Sequence, residues 1–369
     1  MTHAPSGRPP LLFADLSLGW GGDQQWHLTM AAALAERGWP VEIAAHPAGA
    51  LAQRAAAAGA AVWPLALRPA SLLNPFQVRG LLRGLAARRP GAVILGAPRD
   101  LATVGLAAWR QGVPRVLYRH AAHRPVPAGV AYRLVLGRAM TDLVADSHAA
   151  LAGLTRVLPG AVEPLRMAVI YPGVDPRRWE PRAARVATGR IAVVAPLEWE
   201  QGVDRAVQAL HLLRRRMGHA ALRIVGAGSQ RRNLEVLAEE LGVAGAVEFA
   251  AETADRTALL ADCDVLAVPA RAEGVGTAWV EAMLLELPVV AFDLAAAREV
   301  LLDGVTGLLA PEGDIDALAG ALGAILGAPA QARKMGMAGR LRALSNYSLE
   351  REVGQWERML LDGAAPPGA

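Results

Sequence analysis

Short apolar, β-branched runs alternate with longer stretches of helical spacing along almost the whole chain, and the pattern is laid down twice. In the first half the runs are PLLFADL, VEIAAH, AVWPL, AVILGA, RVLYRH, DLVADS and MAVIYPG; in the second they are RIAVVAP, ALRIVGA, AVEFAA, DVLAVPA, PVVAF and GLLAP. Helical spacing fills the gaps, at Gln24 to Arg37 and then at Asp204 to Arg216, Arg231 to Leu241, Arg256 to Ala261, Thr277 to Leu285 and Asp316 to Leu326. Gly38 follows the first of these where a left-handed cap is expected. Such alternation dictates parallel strands joined by crossover helices. The expected fold is therefore α/β, with two Rossmann-like doubly wound domains facing across a cleft. The stretch YPGVDPRRWEPRAARVATGR, rich in proline, glycine and charge without periodicity, reads as a linker, which divides the chain into residues 1–175 and 176–347.

Composition agrees with a large packed core: the 369 residues are 53% hydrophobic and 20% charged, beyond the size at which one core usually stops growing. The single cysteine, Cys263, lies in the apolar run LLADCDVLAVP and reads as a buried structural thiol in a reducing compartment. No run has the length of a membrane span, and the first residues lack the charged start and cleavage site of a signal peptide. The expectation is a cytoplasmic protein. Charge is unevenly placed, with 17 arginines against 9 acids up to Asp175 and 21 basic residues against 25 acids beyond it. A basic first half suits an acidic acceptor such as anionic lipid or a phosphorylated glycan, though a solvated surface in an Arg-rich chain is the more common cause. Nucleic acid is not expected as a partner, because no aromatics interleave the basic residues.

Ligands of doubly wound sheets bind beyond the carboxyl ends of the strands. The stretch PARAEGVGTAWVEAM sets Glu273 and a glycine-rich turn at such an end, and Glu281 inside the helix that follows. The first amides of that helix, near Gly276 to Ala278, suit a phosphate, and two acceptor-only carboxylates suit vicinal hydroxyls. Spacing alone does not separate this from one solvated glutamate at a helix start and another on an amphipathic face. His120 and His123 form an HAAH pair, but no acidic or cysteine partner at ligand spacing accompanies them. Gly226 and Gly228 lack the third glycine of a dinucleotide fingerprint, and no G-x-S-x-G surrounds Ser147 or Ser229. A glycosidase using Glu273 and Glu281 as acid and base has no other support in this architecture.

Strand, Pro269, EGVG, EAM, LPVVAFD and REVLLDGVTGLLAP in this order closely resemble the donor-binding half of retaining glycosyltransferases of the GT-B type, family 4. The resemblance extends through the Gly21-Gly22 loop before LAERG, VPRVLYRH, DLVADSHAAL, VIYPGVD and LRIVGAGSQRRNLEVLAEELG to YSLEREVGQWERML. It implies that residues 348–369 form a helix and tail crossing back to the first domain. It further implies that Glu281 holds the ribose hydroxyls of a nucleotide and Glu273 the hydroxyls of the donor sugar. The backbone of Gly274, Val275, Gly276 and Thr277 would contact sugar and diphosphate, Gly21 and Gly22 would approach the diphosphate, and His120 would stand near the reacting carbon. The implied donor is a nucleotide-diphosphate sugar, UDP- or GDP-linked, with no metal or other cofactor. The implied activity is hexosyl transfer to a glycan or glycolipid of the cell envelope.

One element departs from the family pattern. Its G-R-x-x-x-x-K-G loop, whose Arg and Lys contact the diphosphate, is here VVAPLEWEQGVD, with Pro196 and Gln201 in the two cationic positions and Gly202 retained. Preorganised charge at a leaving diphosphate is among the larger catalytic terms. Another guanidinium could substitute, and Arg119, Arg231 or Arg232, and Arg271 are the candidates; otherwise the chain acts on an unusual donor, or is a GT-B binding or scaffold protein without turnover. On the acceptor side, residues 72–91 place Leu and Phe at helical spacing with Arg79 and Arg83 one turn apart. That stretch could rest on an anionic membrane at the inner face, or be an ordinary crossover helix.

Overall fold

The computed structural model describes residues 7–67, 74–121, 129–181, 187–251, 256–272 and 274–362. The chain divides into two compact units, one running to Tyr171 and resuming at Glu352, the other Pro172–Arg351.

The first unit is a parallel sheet of seven strands: β1 Leu11–Asp15, β2 Val41–Ala45, β3 Ala61–Pro64, β4 Ala92–Leu95, β5 Arg115–His120, β6 Asp142–Ala145 and β7 Arg166–Val169, in the order β3-β2-β1-β4-β5-β6-β7. Its helices are α1 Gly22–Glu36, α2 Ala50–Ala57, α3 Pro75–Arg88, α4 Pro98–Asp100, α5 Leu106–Arg110, α6 Val130–Ala139 and α7 His148–Val157. Central strands such as β1 and β4 are buried at every position, as expected of a sheet covered on both faces, and this is why their sequences read as continuous apolar runs. Asn74 and Ser147 cap α3 and α7 through side-chain oxygens, and Gly38 (φ 83°) follows α1 in the left-handed conformation.

The second unit is a parallel sheet of six strands: β8 Arg190–Val194, β9 Ala221–Val225, β10 Val247–Ala250, β11 Val265–Val268, β12 Val289–Phe292 and β13 Gly307–Ala310, in the order β10-β9-β8-β11-β12-β13. Its helices are α8 Val203–Arg214, α9 Arg231–Glu240, α10 Arg256–Leu260, α11 Thr277–Leu284, α12 Ala295–Val300, α13 Ile315–Gly327 and α14 Pro329–Asn346. A last helix, α15 Leu349–Leu361, joins the first unit from Glu352 onward.

Three features of the structure add to the sequence reading. The boundaries fall at Tyr171/Pro172 and Arg351/Glu352, because Val174 bridges to Ser348 with a bond from its N–H to the Tyr347 carbonyl (2.9 Å). The segment read as a linker is in part fastened down: Trp179 is buried and its carbonyl accepts from Arg340 of α14 at 3.0 Å. Helix α14 itself, 18 residues long, is not signalled by apolar periodicity. It turns Met335, Gly336, Gly339 and Ala343 inward and leaves Met337, Leu341 and Leu344 exposed, so small residues make up most of the packed face. A Cβ on Gly336 would lie 2.0 Å from the Glu286 carbonyl oxygen, which explains why a small residue faces in.

Helix α3 is a crossover helix whose Leu81 and Leu85 enter the first core, while Phe76, Arg79 and Arg83 face solvent. Leu72 and Leu73 lie outside the described residues. Among the described residues no single helix is long and apolar enough to cross a membrane.

Candidate functional site

In the second sheet the strand order reverses between β8 and β11, and their carboxyl ends form the switch point at which doubly wound sheets bind ligands. The chain after β8 reaches α8 through a tight turn, Trp199–Gln201, closed by Gly202. Gly202 is buried at φ 63° and ψ 25°, and a Cβ there would stand 2.0 Å from the Pro269 carbonyl oxygen. Gly226 after β9 meets the Ala195 carbonyl as closely. The three loops at this edge thus touch backbone to backbone, and glycine is the residue that permits it.

Side chains tie the same loops together. The Glu198 carboxylate accepts from the Ser229 amide (3.0 Å) and hydroxyl (2.5 Å), bonds that hold its pKa below the ordinary value. Glu198, which makes the loop more anionic, is therefore the clasp between the β8 and β9 loops. Arg271 bonds both Asp204 oxygens at 2.6 and 2.5 Å, donates to the Trp199 carbonyl at 3.0 Å and lies over the Trp199 ring. Gln201 is half-buried and Pro196 exposed.

Helix α11 begins at Thr277 with Gly276 exposed and extended at its N-cap, while Val275 and Ala278 are buried. The N-cap Gly276 has no side chain and so contributes no side-chain cap to the first amides of α11. Glu281, one turn in, is 3% exposed and pairs through Oε1 with the Arg256 guanidinium at 3.1 Å. Glu273 lies outside the described residues, as does His123.

The three substitute cations are all engaged with carboxylates: Arg271 with Asp204, Arg231 with Glu235 at 2.6 Å, and Arg119 with Asp23 at 3.0 Å. Arg232 contacts Glu235 too. Sequence reasoning missed two further guanidiniums. Arg256 reaches Glu281 across a separation that no local pattern reveals. Arg205 on α8 lies over the Phe292 ring with a buried Nη1 that has no hydrogen-bond partner among the described residues, and burial and then Arg271 lower its pKa.

In the first unit the order reverses between β1 and β4. Gly21 and Gly22 open α1 just after β1, and the helix is held by buried polar groups: Gln24 donates to Asp15 (2.7 Å), and Arg119 bonds Asp23 while lying over the Trp26 ring. His27 is fully buried, donates from Nδ1 to the Asp23 carbonyl (2.8 Å) and packs on Gly96. Desolvation is the main cause of its lowered pKa, so the ring is neutral. His120 ends β5, buried, with Nδ1 3.3 Å from the Tyr118 hydroxyl. A depression of about 420 Å³ lies elsewhere, between α8 and α9, and neither Glu281 nor Gly274 to Thr277 lines it. Among the described residues no group of three or more His, Cys, Asp or Glu could hold a metal ion.

Comparison with known proteins places two family models on the chain: Glycosyltransferase Family 4 over residues 20–178, and Glycosyl transferases group 1 over residues 183–342. A GDP-mannose-dependent alpha-(1-6)-phosphatidylinositol monomannoside mannosyltransferase of Mycolicibacterium smegmatis is 36% identical over 195 residues, 48% of this chain. The chain spans about half the length of that relative, 51%. The enzyme of the same name from Mycobacterium tuberculosis is 30% identical over 312 residues, 77% of this chain and 80% of its own. Among solved structures, HepE of Anabaena in complex with UDP-glucose superposes with a TM-score of 0.84 at 18% identity, covering 96% of this chain and all of that one.

Proposed function

Since the chain belongs to the family 4, group 1 glycosyltransferases and has their two-domain GT-B fold, we propose that it moves a hexose from a nucleotide-diphosphate sugar to a glycan or glycolipid with retention of configuration. The observation that carries this reading is Glu281: a carboxylate 3% exposed, one turn inside a helix whose glycine-capped amino end lies at the switch point of the sheet. Such a helix end suits a diphosphate, and a buried acceptor just behind it suits ribose hydroxyls. The names of the relatives, which use GDP-mannose, and the UDP-glucose complex of a structural neighbour support a hexose donor linked to UDP or GDP.

In this reading the bond between the anomeric carbon and the diphosphate breaks while the acceptor oxygen bonds to the same face of that carbon, and the acceptor proton passes to the departing phosphate oxygen. His120 stands near that carbon by resemblance, and Glu273 orients the sugar by resemblance alone. The α11 amino end would receive charge that the Arg and Lys of the family otherwise meet. The acceptor is a glycan or an anionic glycolipid, consistent with the basic first half, and Arg79 and Arg83 on the outer face of α3 would allow peripheral contact with a membrane.

Calorimetry with UDP, GDP and ADP tests the reading. Replacing Glu281 by Ala removes acceptors of charge-assisted hydrogen bonds and is expected to weaken nucleotide binding about 10- to 100-fold. Unchanged affinity would remove Glu281 from the site. Absence of binding by the wild type at millimolar nucleotide would favour a scaffold protein that keeps the fold without turnover.

A further inference from the structure

The buried contact between Arg256 and Glu281 has no part in the family pattern recognised from the sequence. Arg256 opens α10, before β11, and Glu281 lies on α11, after it, so the sheet order brings the two together. Their side chains are 13% and 3% exposed and 3.1 Å apart. Helical side chains lean toward the amino end of their helix, so the Glu281 carboxylate lies beneath the first turn of α11, where an anionic diphosphate would sit. An uncompensated carboxylate there would repel that ligand and would itself be costly to keep ionised in so dry a place.

We propose that Arg256 is the positioning residue of the ribose subsite: its guanidinium fixes the Glu281 carboxylate and offsets its charge beneath the phosphate-binding end of α11. An ionised carboxylate offers about four lone-pair sites, enough for one guanidinium and two vicinal hydroxyls. The inference rests on the nucleotide-sugar reading above.

The test measures, on the full chain, calorimetric affinities for UDP and GDP and for their 2′-deoxy counterparts. Wild type is expected to prefer the ribonucleotide about 10-fold or more, one charge-assisted hydrogen bond's worth. In Arg256→Ala that preference should fall to within about 3-fold, because the carboxylate is no longer aimed and its charge is no longer offset. Arg256→Lys, which keeps the charge without the planar fork, should give an intermediate ratio, and serves as the readable variant if the alanine form does not fold. A merely structural Arg256 would lower thermal stability and leave the ribose-to-deoxyribose ratio unmoved, and that result, in either variant, overturns the inference. A wild type that binds ribonucleotides without discriminating against the deoxy forms overturns it as well. A wild type that binds neither UDP nor GDP at millimolar concentration instead brings down the nucleotide reading, and this inference with it.

Discussion

Gly202→Ala tests the close approach of backbones at the switch point of the second sheet. Two costs add. Gly202 has φ 63° and ψ 25°, a conformation that costs an L-residue about 1–2 kcal/mol. Its new Cβ would lie 2.0 Å from the Pro269 carbonyl oxygen and 3.0 Å from the carbonyl carbon, so the end of β11 would have to retreat. Overpacking of this kind costs about 1–3 kcal/mol, giving a total of about 2–5 kcal/mol. Gly218, with nothing within 4 Å of its position, is the control, and its alanine variant should change stability by no more than about 1 kcal/mol. Urea unfolding of the three proteins, followed through the transition of the second unit, reads the difference. Since Pro269 precedes the loop that leads to Gly274 and Thr277, the same variant should lose UDP or GDP affinity at temperatures where it is still folded. If Gly202→Ala and Gly218→Ala differ by less than about 1 kcal/mol, the close approach does not exist and the argument for a pinned loop is wrong.

Two other outcomes concern the first unit. Trp356, 1% exposed and 5.3 Å from Trp26 between ring centroids, belongs to the last helix of the chain but to the core of the first unit. Trp356→Ala should destabilise that unit by about 3–5 kcal/mol in urea, and an unaltered first-unit transition would mean that α15 is not anchored there. His27 has a pKa lowered by burial, so below its ordinary value of 6.5 the unfolded chain binds a proton that the folded chain does not. Stability should therefore fall as pH drops below 6.5, by at most about 1.4 kcal/mol per pH unit from this residue, and His27→Gln should flatten the slope between pH 6.5 and 5.5. Equal slopes for the two proteins would show that the imidazole is reached by solvent.

The central strands were legible because parallel sheets covered on both faces need nearly unbroken apolar runs; each of β1 to β13 overlaps such a run, and the edge strands β3, β7 and β10 are partly exposed. Gly202 and the start of α11 at Thr277 were legible from the motif around them. Helix α14 was not, since its packing face is mostly Gly336, Gly339 and Ala343, whose smallness carries no hydrophobic signal, and of its large apolar residues only Met335 is buried while Met337, Leu341 and Leu344 are exposed.

The order of elements, the two repeated sheets and the residue types at the candidate site follow from the linear pattern, because burial on both faces and close backbone approach each demand particular residues at particular spacings. Partnership is a different matter. That Arg271 meets Asp204, 67 positions away, that Arg119 is spent on Asp23, and that Glu281 is answered by Arg256 depend on which strands lie side by side. The energy of an ion pair is set by distance and desolvation in three dimensions, and neither is written into sequence separation.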